Sequence, residues 1–279
     1  MGVTIDVARI VENKKEELKK RIKKLKDKNI VPKLAVILAN NDESSRIYIS
    51  KKRKMCEEVG IDEVESMLDD SCDTNKVLDI IKRLNMDDTV DAILVQLPIF
   101  PHLDEKKILY AIDCNKDVDG FHPLNLGKML IGDPSIISCT PKGIALILDS
   151  VIDSCTGLNA VVVGRSIIVG KPMAQLLLNR DATVTICHRK TKNLKSFTKN
   201  ADILVVATGC PHLITKDMVK NGCIVIDVGI NRVDNKIIGD VDTQEVINKA
   251  KYITSVPGGV GRTTIVSLID NIVTIAENR

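Results

Sequence analysis

Tyr48 and Lys52 stand four residues apart in the segment 45–52, so a helix there carries both side chains on one side. A partly desolvated lysine can act as acid or base near neutrality, and a neighbouring tyrosine can orient it and relay its proton. Lys51, Arg53 and Lys54 support the plainer alternative, a solvated lysine-rich face. Gln96 closes the apolar run 92–97, and an amide at the carboxyl end of a buried strand needs a partner where ligand sites form. Asp117 and Asp119 follow in the segment 116–123. A carboxylate accepts two parallel hydrogen bonds, which suits the amino-pyrimidine edge of a pterin. Two carboxylates also raise the question of a metal, but no histidine or further acid stands at ligand spacing, and none is assigned.

The second half offers a phosphate-binding turn. An apolar strand over 160–163 runs into Gly164, Arg165 and Ser166, and a helix begins near Gly170. Free N–H groups and the positive dipole end of that helix can hold a pyrophosphate, although the middle glycine of the usual G-x-G-x-x-G is missing. Arg165 at the mouth of the turn and Arg189 after the next strand supply cations where an NAD enzyme carries an acid, so a 2′-phosphate and NADP are expected. The segments 206–211 and 227–231 also run from apolar strands into small-residue loops. They suit a flat nicotinamide, or are ordinary β–α turns.

These residues need a scaffold, and the apolar pattern supplies one. Strands are predicted over 34–39, 92–97, 160–163, 183–187, 203–207 and 224–228. Helical patterns over 44–59, 74–84, 105–112, 171–178 and 191–199 separate most of them. The alternation predicts an α/β fold with mostly parallel sheet. Residues 115–141 carry Pro123, Pro134 and Pro141 with no clear period, which marks a junction. The expectation is two α/β domains with a cleft between them. Residues 1–140 form the first and 141–262 a Rossmann-like second, with the apolar helix 263–279 packing back on the first.

Composition narrows the function classes. Apolar residues make up 44% of the 279 and charged residues 28%, with three Tyr, three Phe and no Trp, so the core is aliphatic. Single-stranded nucleic-acid binding, which uses aromatic platforms, is disfavoured. Net charge is only +3, and the basic run 14–28 places Leu18, Ile22 and Leu25 at helical spacing, as in a solvated amphipathic helix. Eight cysteines include no Cys-x-x-Cys pair and read as reduced thiols. The first ten residues lack a signal-peptide core, and no apolar stretch approaches the roughly 20 residues of a membrane span. A soluble, cytoplasmic chain without membrane partners is expected.

Taken together, the motifs resemble the bifunctional methylenetetrahydrofolate dehydrogenase/methenyltetrahydrofolate cyclohydrolase family. They are Tyr-Ile-x-x-Lys (48–52), Ile-Leu-Val-Gln-Leu-Pro (93–98), Lys-Asp-Val-Asp-Gly-Phe-His-Pro (116–123) and Cys-Thr-Pro-Lys-Gly (139–143). Gly-Arg-Ser-x-Ile-Val-Gly-Lys-Pro (164–172), Val-Ile-Asp-Val-Gly-Ile-Asn (225–231), Gly-Asp-Val (239–241) and Pro-Gly-Gly-Val-Gly (257–261) continue them in family order. The resemblance implies folate on the first domain, NADP on the second, and a homodimer. It implies that Lys52 is the central catalytic residue, with Tyr48 and Gln96 tuning it and Asp119 anchoring the pterin. Val95, Leu97, Pro98 and the loop Pro257, Gly258, Gly259, Val260 and Gly261 are then expected to line the folate pocket. Gly164, Arg165, Ser166, Arg189 and Ile230 are expected at NADP. A dehydrogenase without the hydrolase step, and a dinucleotide-binding module without catalysis, are the alternatives. The intact set Tyr48, Lys52, Gln96 and Asp119 argues against both. Arg262-Thr263-Thr264 departs from the usual Pro-Met-Thr after the glycine loop, which bears on the start of the last helix.

Overall fold

A computed structural model describes residues 2–234 and 236–279. In chain order its elements begin with β1 (Val3–Thr4), α1 (Val7–Lys26), β2 (Lys33–Leu38), α2 (Glu43–Val59), β3 (Asp62–Met67), α3 (Thr74–Met86), β4 (Ala92–Gln96), α4 (Glu105–Ala111), α5 (Pro123–Leu130) and α6 (Cys139–Asp149). They continue with β5 (Asn159–Val163), α7 (Gly170–Leu178), β6 (Thr183–Cys187), α8 (Leu194–Thr198), β7 (Ile203–Val206), β8 (Ile224–Asp227), β9 (Asn231–Val233), β10 (Lys236–Ile238), α9 (Thr243–Val246), β11 (Tyr252–Ile253) and α10 (Val260–Glu277). The chain divides into two compact units, 13–139 with 265–279, and 140–264 with the residues up to Glu12.

In the first unit β3, β2 and β4 form a parallel sheet in that order, with Leu38 opposite Gln96. β2 and β4 are buried almost throughout, as strands covered on both faces must be. Ala35, Ile37, Val77, Ile81, Ile93, Val95 and Ile108 build the aliphatic core there. Asp42 caps α2 by accepting the Ser45 N–H at 2.7 Å, and Gly60 ends the helix in the left-handed region. The buried face of α1 is Leu18, Ile22 and Leu25, and its Arg21 bonds Asp270, Thr274 and Glu277 of α10. Asn271 of α10 donates at 2.8 Å to the carbonyls of Val118 and Ile137.

The second unit is a six-stranded parallel sheet in the order β1-β11-β8-β7-β5-β6. The strand order reverses between β5 and β7, which opens a ligand crevice at their carboxyl ends. β9 and β10 pair antiparallel apart from it.

Three expectations change. The N-terminal residues, assigned to the first domain, add β1 to the edge of the second sheet, where Val3 and Thr4 pair with Tyr252 and Ile253. That pairing satisfies backbone groups that edge strand β11 would leave open. β3 was not predicted, because Asp62, Glu63 and Glu65 hide its strand character. Residues 123–130 form a helix rather than irregular chain: Pro123 stands in its first turn, where a missing N–H costs nothing. No helix of the described residues is long and apolar enough to cross a membrane.

Candidate functional site

Lys52 lies on the sheet-facing side of α2, only 8% exposed, and its ammonium donates to Gln96 Oε1 at 2.9 Å. Gln96 ends β4, and its own Nε2 donates to the Leu97 carbonyl at 2.7 Å. The amide can therefore present only its oxygen to Lys52, and the ammonium keeps two further N–H groups for a ligand or water. A cation this deeply buried needs such a partner, and Lys52 has it.

Tyr48 is half-buried one turn earlier, and burial raises its hydroxyl above the usual tyrosine range. The cation at its ring is Lys51, 5.9 Å from the centroid, and not Lys52. The two carboxylates of the following loop have separate roles. Asp117 is buried and spent on the loop itself, accepting from the N–H groups of Gly120 at 3.1 Å and His122 at 2.8 Å and from Asn125 Nδ2 at 2.9 Å. Asp119 is half-buried and takes none of these amides; its hydrogen-bond partner is the Cys139 thiol. Burial pushes its carboxyl up to about 6, with Lys52 pulling it back and Asp117 adding to the rise.

Of the flanking residues, Leu97 is half-buried and Pro98 exposed, whereas the Val95 side chain is enclosed in the core and can offer a ligand only its backbone. Pro257, Gly258, Gly259, Val260 and Gly261 belong to the second unit and lead into α10. Pro257 is exposed there, and Val260 is buried. The departure after this loop does not prevent the helix: the Thr263 and Thr264 hydroxyls both donate to the Val260 carbonyl at 3.0 Å, while Arg262 is exposed.

A cavity of about 630 Å³ opens at the strand-order reversal, lined among others by Gly164, Arg165, Ser166, His188, Arg189 and Thr208. Gly164 has φ +138°, and a Cβ there would stand 2.3 Å from the Ala207 carbonyl oxygen. A Cβ on Gly170 would stand equally 2.3 Å from the Gly164 oxygen, so both glycines let helix, turn and neighbouring strand close up. The anion-binding groups differ from expectation. Ser166 Oγ already accepts from Val169 N at 3.1 Å and Gly170 N at 3.3 Å, and the Ser166 carbonyl takes the Lys171 N–H at 3.0 Å. The first turn of α7 is thus capped by the protein. Among the described residues, the backbone N–H groups of Arg165 to Ile168 have no such acceptor, so the open donors lie in the turn just before the helix. With the exposed Arg165 and Arg189 they fit a pyrophosphate and a 2′-phosphate. Ile230 is 55% exposed at the start of the β9 loop.

Two buried carboxylates that composition did not single out hold these loops. Asp240 accepts from Thr208 N at 2.6 Å, Gly209 N at 3.0 Å and Asn231 Nδ2 at 2.9 Å. Asp227 accepts from Gly229 N at 2.9 Å, Asp240 N at 3.0 Å and Val241 N at 3.0 Å. Burial pushes Asp227 up to about 6 against the pull of its three amides. Their signal was an aspartate within two residues of a glycine in each of the segments 227–231 and 239–241. His188, half-buried in the cavity wall, was also missed.

Two family models match the chain. Residues 5–119 match the catalytic domain of tetrahydrofolate dehydrogenase/cyclohydrolase, and 138–279 match its NAD(P)-binding domain. The bifunctional protein FolD of Campylobacter hominis is 49% identical over 276 residues, covering 99% of this chain and 97% of that protein. The crystal structure of the bifunctional enzyme FolD from Campylobacter jejuni superposes with a TM-score of 0.98 at 46% identity, covering 100% of both chains. The Trypanosoma brucei dehydrogenase-cyclohydrolase, solved with NADP and an inhibitor, gives a TM-score of 0.95 at 32% identity over 99% of this chain and 98% of that one.

Proposed function

The chain belongs to the tetrahydrofolate dehydrogenase/cyclohydrolase family, and we propose that the buried Lys52–Gln96 pair is the centre of its folate chemistry. It is a bifunctional enzyme that oxidises 5,10-methylenetetrahydrofolate and hydrolyses the resulting 5,10-methenyltetrahydrofolate to 10-formyltetrahydrofolate.

The residues divide the work as follows. NADP, when bound, supplies the acceptor for the hydride. Loss of hydride leaves a cation shared by two nitrogens, so this half asks the protein for alignment more than for proton transfer. Asp119 accepts the amino-pyrimidine edge of the substrate, and Leu97 and Pro98 flank it. Hydrolysis adds water to the methenyl carbon and breaks one C–N bond, and this half needs a proton carrier. Once its ammonium has given one proton to solvent, Lys52 Nζ, still held by Gln96 Oε1, takes a proton from the attacking water and returns it to the departing nitrogen, and the second proton of that water leaves to solvent as the formyl C=O forms. Tyr48 orders the approach to that ammonium. Arg165, Ser166 and Arg189 hold the phosphates, Ile230 packs against the cofactor, and no metal takes part. A cytoplasmic homodimer acting on tetrahydrofolate derivatives, without nucleic-acid or membrane partners, completes the proposal.

The single observation carrying this reading is the 2.9 Å bond between a lysine and a glutamine that are 44 residues apart. Its test is to follow a ¹³C-labelled methylene carbon by NMR in the presence of NADP. The label passes to the formyl position; a label that stops at methenyl, at the rate of the reaction without protein, rejects the hydrolase half.

Two further outcomes are expected. Asp119 is ionised above about pH 6 and protonated below it, so it loses acceptor capacity as pH falls through that value. Folate affinity, measured by titration, then falls by about tenfold per pH unit below that point; affinity unchanged down to pH 5 removes Asp119 from the site. Arg189→Ala should lower kcat/KM for NADP by about 10- to 100-fold, the worth of one charge-assisted contact, and leave NAD nearly unaffected. Equal losses with both cofactors would assign Arg189 another role.

A further inference from the structure

Asn40 follows β2 and is 6% exposed, with every polar atom of its side chain engaged. Its Oδ1 accepts the Asp42 N–H at 2.9 Å, and its Nδ2 donates to the Pro98 carbonyl and to Ser45 Oγ at 3.3 Å. Asp42 is the residue that caps α2, through Ser45 N at 2.7 Å and Ser45 Oγ at 2.9 Å. One amide therefore ties the start of the helix that carries Lys52 to the segment just beyond Gln96. The neighbouring backbone supplies a second tie, from Phe100 N to the Ala39 carbonyl at 2.7 Å.

We propose that Asn40 is a positioning residue for the Lys52–Gln96 pair, setting how α2 sits against the end of β4. Lys52 projects from α2 about three turns beyond the cap, and Gln96 stands two residues before Pro98. A small rotation or slide of α2 at its capped end moves Nζ relative to Oε1, and a displacement of about 1 Å at a reacting centre can cost about 100-fold in rate. Only an amide performs this task. Aspartate keeps the shape and the acceptor but cannot donate to the Pro98 carbonyl, and glycine offers neither group. The inference rests on the functional reading above, because it assigns the effect to the hydrolytic proton carrier.

The test compares Asn40→Asp and Asn40→Gly with wild type, alone and combined with Gln96→Ala, in the hydrolysis of added 5,10-methenyltetrahydrofolate. Each single variant is expected to lower kcat by about 10- to 100-fold with KM changed less than about twofold, and NADP affinity unchanged. In the Gln96→Ala background the Asn40 substitutions should cost almost nothing more, since the contact they serve is already gone. Additive losses, or a rise in KM at constant kcat, overturn the positioning role. A general loss of packing would lower NADP affinity and both activities together, which also overturns it. A wild-type protein without hydrolysis fails the functional reading itself, and is told apart because no variant is then needed to see it.

Discussion

Replacing Lys52 by alanine is expected to lower hydrolysis of 5,10-methenyltetrahydrofolate by about 10²- to 10⁴-fold, the range that a positioned proton carrier contributes. The substitution removes the ammonium and leaves Gln96 Oε1 without its donor at 2.9 Å. It also removes the cation that pulls down the Asp119 carboxyl, so Asp119 titrates still higher and folate affinity near neutrality weakens as well. Lys52→Met separates the two effects of charge and volume, since it keeps most of the buried bulk. Dehydrogenation, which asks for alignment, is expected to fall less than hydrolysis in both variants. Direct absorbance decay of added methenyl substrate checks this. Hydrolysis within a few fold of wild type would remove Lys52 from the chemistry.

A comparable loss is expected at the other ligand. Gly164→Ala should weaken NADP binding by at least about 100-fold, because the new methyl group meets the Ala207 carbonyl oxygen at 2.3 Å and cannot be accommodated without moving the turn. The φ of +138° adds strain for any residue with a side chain. Moving the turn displaces the open N–H groups of Arg165 to Ile168 and the Arg165 side chain together. Folate binding by the first unit should persist, which calorimetric titration of each ligand can resolve. Wild-type NADP affinity in a folded Gly164→Ala protein would show that the turn is not the phosphate site.

Much of the parallel sheet was legible because strands buried on both faces are continuous apolar runs, as in β2, β4, β7 and β8. β3 was not, since an edge strand facing solvent alternates and its glutamates mask it. β1 and β11 are two residues each, too short to leave a pattern and fixed only by sheet pairing, β1 on β11 and β11 on β8. At the site, strand end singled out Gln96, whereas helical spacing left Lys52 open between chemistry and a lysine-rich face, and it is the structure that brings the two to 2.9 Å. Sequence could not tell Asp117 from Asp119, because the difference is which of them the loop's own amides consume. It gave the helix N-terminus of α7 to the phosphate, where the Ser166 hydroxyl takes those amides instead. Asp227 and Asp240 were invisible as supports for the same reason: a buried acid and a loop acid look alike until its hydrogen bonds are counted.

The central claim is that one protein performs both steps, and a two-wavelength absorbance assay on 5,10-methylenetetrahydrofolate and NADP tests it most directly. NADPH and the methenyl intermediate are followed separately in one cuvette. The account predicts NADPH formation with little methenyl accumulation, and rapid loss of methenyl substrate added on its own. NADPH with stoichiometric methenyl accumulation would leave a dehydrogenase alone, and no NADPH at all would contradict the account outright.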